Sequence, residues 1–186
     1  MPFGAGKVAL LGAAGSGGGG GANVYEYITH ITGDASSANY TFSSLPTDYK
    51  TLRIVINAKY VATQWRPIVR INNQSAHYRV SQFWGSGGSY QSSGQTSLSG
   101  VFMSIVPTNY ACYTATIDFP EYNSTAMVCP VLLQIGTADG TSASPITVQQ
   151  GALFNGSAAI SEINLVGASG HYLSTGSTVA LFGLKE

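Results

Sequence analysis

A chain of 186 residues with 44% hydrophobic and only 9% charged side chains is long enough to bury a self-sufficient core and too apolar for intrinsic disorder. Eight basic side chains against eight acidic ones leave no formal net charge, so the protein lacks the positive field with which nucleic-acid binders gather phosphates. The two cysteines, Cys112 and Cys129, stand in no metal-ligand spacing, which excludes a zinc site and leaves two readings open, a pair of buried thiols or a disulfide.

The first 22 residues, MPFGAGKVALLGAAGSGGGGGA, hold nine glycines, and residues 1–23 are expected to form an extended Gly/Ala-rich arm. Glycine loses more backbone freedom on ordering than any other residue, so neighbours must pin such an arm, most simply another chain of an assembly. An inert linker is the alternative. The larger apolar side chains of the arm, Phe3, Val8, Leu10 and Leu11, are its candidate assembly contacts. Lys7 followed by VALLGAA imitates a secretory signal only weakly, and no apolar run approaches the ~20 residues that span a bilayer. Gly6 and Lys7 look like the end of a phosphate-binding loop, but Val8 stands where a magnesium-ligating Ser or Thr belongs.

From residue 24 onward, short runs of Val, Ile, Thr, Tyr and Phe alternate with clusters of Gly, Ser, Asn and Pro. That pattern predicts many short strands joined by turns. The candidates are 24–32, 39–43, 51–61, 67–72, 76–83, 101–105, 111–119, 128–135, 146–153, 160–166 and 178–184. In 51–61, Leu52, Ile54, Ile56 and Ala58 share one face and Arg53, Val55, Asn57 and Lys59 the other, so one face packs inward. The last strand is apolar on both sides, with Val179, Leu181 and Gly183 alternating with Ala180, Phe182 and Leu184, which suits a central or covered strand. The tract 85–100, GSGGSYQSSGQTSLSG, is too long for a hairpin turn and reads as a surface loop. No repeat or sustained helical period interrupts the series. Residues 24–186 are therefore expected to form one all-β domain, a jelly-roll-like antiparallel β-sandwich.

Catalytic constellations are not evident. His30, His77 and His171 are isolated from any acid at a recognisable spacing. Asp118 and Glu121 form the one close acid pair, but with Phe119 and Pro120 between them they suit turn chemistry: Asp118 accepting backbone N–H bonds, Pro120 ending a strand. Four Asp and four Glu scattered along the chain give no calcium cage. No enzyme activity, cofactor or metal is expected. Trp65, Trp84, Tyr78, Tyr90 and Tyr110 are candidates for a glycan or partner surface, since aromatic faces beside hydroxyls and amides stack on sugars; filling strand faces is the competing role. Arg53, Arg66, Arg70 and Arg79 lie in or beside strands, where a guanidinium bridges chains or simply meets solvent.

Four segments carry a resemblance beyond class. Residues 37–52, SANYTFSSLPTDYKTL, are similar to the form "tFssiPqtYkhL" that recurs in tailed-bacteriophage virion proteins. In order there follow 71–78, INNQSAHY, resembling "fNgdsgsnY"; 115–122, ATIDFPEY, resembling "idipdY"; and 176–185, GSTVALFGLK, resembling the terminal "GsvvsLYGik". The chain departs from that pattern at Phe182, where Tyr is common, and in the longer 85–100 tract. The resemblance implies a β-sandwich structural protein of the virion without catalysis. The expectation it supports is a decoration or cement protein on the outer capsid surface. Its partners would be the major capsid protein or other virion proteins, and it would form a homo-oligomer, most simply a trimer on local threefold axes. A tail-tip or tail-fibre protein that binds host-surface glycans is the alternative.

Overall fold

The computed structural model describes residues 24–59, 67–86, 89–103, 110–125, 128–139, 146–156, 158–167 and 172–185. The arm 1–23, with Phe3, Val8, Leu10 and Leu11, lies outside them, as do Trp65, Arg66 and His171. Twelve strands occur among the described residues: β1 (Tyr25–Thr32), β2 (Asn39–Ser43), β3 (Thr51–Lys59), β4 (Ile68–Ile71), β5 (Tyr78–Ser86), β6 (Ser89–Leu98), β7 (Val101–Phe102), β8 (Tyr110–Pro120), β9 (Cys129–Asp139), β10 (Ile146–Phe154), β11 (Glu162–Val166) and β12 (Thr178–Leu184). No helix occurs among those residues, and so none long and apolar enough to cross a membrane.

The strands form an eight-stranded sheet, β1-β12-β3-β8-β9-β10-β5-β6, and a four-stranded sheet, β2-β11-β4-β7, with antiparallel pairing throughout. Taken without β5, β6, β9 and β10, the remaining strands run β1-β12-β3-β8 in one sheet and β2-β11-β4-β7 in the other, which is the jelly-roll order. The hairpins β5–β6 and β9–β10 are insertions, and both extend the larger sheet beyond β8.

Alternation decides which faces meet. Leu52, Ile54 and Ile56 of β3, Ile117 and Phe119 of β8, Val131 and Leu133 of β9, and Val179 and Leu181 of β12 are buried on the inner face of the large sheet. They share one core with Tyr40 and Phe42 of β2, Val69 and Ile71 of β4, and Ile163 and Leu165 of β11. Each aliphatic side chain withdrawn from water contributes about 1.5–3 kcal/mol, so this core, not any single bond, holds the sheets together. The both-sided apolarity of β12 has a local cause, because it lies between β1 and β3 and Tyr27 of β1 packs edge-on against Phe182 at 5.9 Å.

Local chemistry fixes the ends of elements. Asn72 and Asn73 both take positive φ and Gln74 N–H donates to Ile71 C=O, a tight turn that amide residues tolerate. The Asn72 side chain then clamps the approach to β11, donating to Ala159 C=O and accepting from the Ser161 and Glu162 N–H groups. At the first loop, Asp34 accepts from the N–H groups of Ser36 and Ser37 and from the Ser37 hydroxyl, which holds its carboxyl well below the usual range.

Two expectations change. The tract 85–100 is not a loop: Ser89–Leu98 is strand β6, paired with β5. A disulfide between Cys112 and Cys129 is also excluded, since Cys129 is a free buried thiol. Cys112 pairs with Ala138, and the distance along β9 from Ala138 back to Cys129 is about 30 Å. Burial pushes the Cys129 thiol up to about 12, the behaviour of a small hydrophobe.

Candidate functional site

The described histidines and acids form no catalytic set. No group of three or more His, Cys, Asp or Glu that could hold a metal ion occurs among the described residues. His30 Nδ1 is hydrogen-bonded to the Tyr27 hydroxyl, whereas His77, with φ of 74°, lies in a hollow of about 330 Å3 whose lining includes Asn72, Gln74 and Asn155 and, among the described residues, no carboxylate.

Asp118 and Glu121 are not a pair. Asp118 lies opposite Arg53 on the outer face of the large sheet and takes a two-pronged bond from its guanidinium, at 2.6 and 2.8 Å, instead of capping backbone N–H groups. Arg53 also stacks over the Tyr25 ring at 4.1 Å, and the bond to Asp118 holds the guanidinium more basic than usual. Glu121 stands exposed in the following turn with positive φ, while Pro120 closes β8 as the sequence suggests. Of the other arginines, Arg70 donates to Ser99 C=O and Arg79 is exposed on β5.

The candidate aromatic surface separates into inner and outer members. Tyr78 is fully buried and its hydroxyl accepts from Ile71 N–H, so it belongs to the core. Trp84 pairs with buried Val148, lies on the same inner face and packs against the core. Tyr90 pairs with Gly85 on the outer face and is 73% exposed. Tyr110 opens β8, and its side chain falls outside the description. Sequence reading missed Phe83, whose ring stacks on Tyr90 at 5.7 Å with 12° between planes.

Register lays out the outer face in rows across the strands. Thr116, Gln134, Gln149 and Phe83 are direct neighbours on β8, β9, β10 and β5 and form a ridge. On one side Thr114, Gly136 and Thr147 leave a groove of about 320 Å3 next to the amides. On the other, Leu132, Gly151 and Ser81 floor a groove of about 410 Å3. Leu132, Leu153 and Phe83 are each about half exposed here. Such a face has amide and hydroxyl groups, flat rings and apolar side chains, with Arg79 and the Arg53–Asp118 pair toward one margin, the composition of an adhesive surface.

Residues of 37–52, 115–123 and 176–185 meet instead at one end of the sandwich. The Tyr122 hydroxyl donates to Pro46 C=O, Asn123 donates to Thr47 C=O, and the Tyr49 ring lies against Gly183. Around Tyr49, Lys185 pairs with Glu26 at 3.0 Å and Asp48 at 3.4 Å, and the bond from Lys185 lowers the Glu26 pKa. These segments build the scaffold.

The chain matches no protein-family model, no curated protein and no solved structure.

Proposed function

We propose that this chain is a structural protein of a bacteriophage virion, a decoration or cement subunit on the outer capsid surface that works through contact area and not through chemistry. The observation that carries this reading is the outer face of the large sheet. It is broad and sparsely charged, and Phe83, Tyr90, Leu132 and Leu153 stand on it with 46–73% of their surface exposed. A protein with zero formal charge and a large adhesive face has little to keep copies apart, which suits a repeated shell. The resemblance of residues 37–52, 71–78, 115–122 and 176–185 to virion proteins points the same way. In the proposal the subunit sits on threefold positions, and the arm 1–23, with Phe3, Val8, Leu10 and Leu11, reaches neighbouring chains. Many weak contacts then add up to resistance against the packaged genome.

Virions assembled without this protein are expected to release DNA at a lower temperature than complete ones, and added purified protein should restore the difference. Equal heat resistance of the two particles refutes cementing.

A second reading, a tail-tip or tail-fibre protein binding host-surface glycans, is favoured by one observation, the stacked Phe83–Tyr90 pair beside the Gln134 and Gln149 amides. Binding to a glycan array that is lost in Tyr90→Ala and Phe83→Ala but kept in Trp84→Ala supports it. No binding by the wild-type protein across a host-derived array counts against it.

A further inference from the structure

The two sheets have four edges, and three of them are guarded. β2 has five residues and β7 two, too short to template a long partner. β1 has eight residues, but its register is broken between Tyr27 and Thr29, and Glu26, held by Lys185, and His30 stand along it. Bulges, charges and shortness are the devices by which sheets avoid edge-to-edge pairing. β6 has none of them over most of its length. Its ten residues, SYQSSGQTSL, contain no proline and no charged residue, and the pairing with β5 is regular from Ser89 to Thr96, with the irregularity confined to the far end. Among the described residues β6 pairs only with β5, and Ser89 to Thr96 are exposed on both faces. Every second residue of such a strand directs its N–H and C=O away from the sheet.

We infer that the β6 edge pairs antiparallel with β6 of a second copy about a twofold axis, making one continuous sheet across two subunits. Three features select a second copy as the occupant. The strand brings no charge to the contact and the whole chain has no net charge, so like copies do not repel. An isologous contact satisfies both unguarded edges at once, whereas a foreign strand would bring an outer edge of its own. Eight regularly paired residues from each copy supply about eight ladder hydrogen bonds, and Tyr90, 73% exposed, gains cover as the sheet extends past it. The inference goes beyond the virion reading and does not need it, because it concerns the isolated protein.

The test is the mass of the full-length protein by light scattering and sedimentation, with hydrogen exchange at low and high concentration. Ser92→Lys and Gln95→Lys place a charge on the outer and inner face of β6 at exposed positions, as natural edge strands do. The wild type is expected to contain an even number of copies and each variant half that mass, with unchanged circular dichroism. Outward-facing β6 amides should be protected only in the associated wild type. A wild type that stays monomeric or strictly trimeric at about 100 μM overturns the inference; that range covers ordinary specific affinities. So does an even-numbered wild type whose mass and β6 protection survive both lysines.

Discussion

Gly183→Val is expected to remove about 3 kcal/mol of stability, at the upper end of what overpacking costs. Gly183 pairs with Leu52 on one side and Glu26 on the other, and the Tyr49 ring lies directly over it. A Cβ at this position would fall 2.3 Å from Tyr49 Cγ and 2.4 Å from its Cδ1, far inside contact distance. Tyr49 cannot easily yield, because its hydroxyl donates to Glu26 at 3.0 Å and Lys185 sits 4.9 Å from the ring centre. The backbone is held as well, with Lys50 N–H donating to Leu184 C=O and Glu121 N–H to Lys50 C=O. Urea denaturation measures the loss. Combining Gly183→Val with Tyr49→Ala should recover part of it, since residues in direct contact couple by about 0.5–3 kcal/mol. A Gly183→Val protein within about 0.5 kcal/mol of wild type, the range of an ordinary surface change, disproves the packing.

Gly183 also illustrates what a single sequence discloses. A glycine inside an alternating apolar strand announces that something approaches closely, but not that the visitor is Tyr49, which lies 134 positions earlier. Strands with one buried face were legible for a related reason. β3 shows Leu52, Ile54 and Ile56 at every second position because water is excluded from one side only. The same rule hid β6: with both faces in water, SYQSSGQTSL has no apolar period to read, and its glycine and serines imitate a loop. Side-chain pattern reports burial, and a strand with neither face buried leaves almost no trace.

The outer face was less legible than the core. Aromatic residues could be counted, but their division between faces depends on register, which places Trp84 inside and its neighbour Phe83 outside. Arg53 and Asp118 meet because β3 and β8 are adjacent, although 65 residues separate them in sequence. The ridge of Thr116, Gln134, Gln149 and Phe83 draws one residue from each of four strands, and no local motif encodes it. The glycines beside it, Gly136 and Gly151, read in sequence as mere breaks in β-propensity.

Tyr78 and Tyr90 lie on adjacent strands of one hairpin and are chemically identical, yet their replacement is expected to differ by several kcal/mol. Tyr78 is 0% exposed, and its ring packs against Phe154 at 5.2 Å. Its hydroxyl accepts from Ile71 N–H at 2.7 Å and is 3.3 Å from Gln74 C=O, bracing the turn that joins β4 to β5. Tyr78→Phe leaves the buried Ile71 N–H without that acceptor and should cost about 1–3 kcal/mol. Tyr78→Ala adds a ring-sized cavity and should cost about 3–5 kcal/mol. Tyr90 is 73% exposed, and Tyr90→Ala should change stability by no more than about 0.5 kcal/mol. Equilibrium urea unfolding of the three variants settles the order, and a Tyr90→Ala loss equal to that of Tyr78→Ala would reverse the assignment of faces. The difference decides how the outer surface can be probed. Loss of binding in a Tyr78 variant reports only a damaged scaffold, whereas loss in Tyr90→Ala, with the melting curve intact, reports the surface itself.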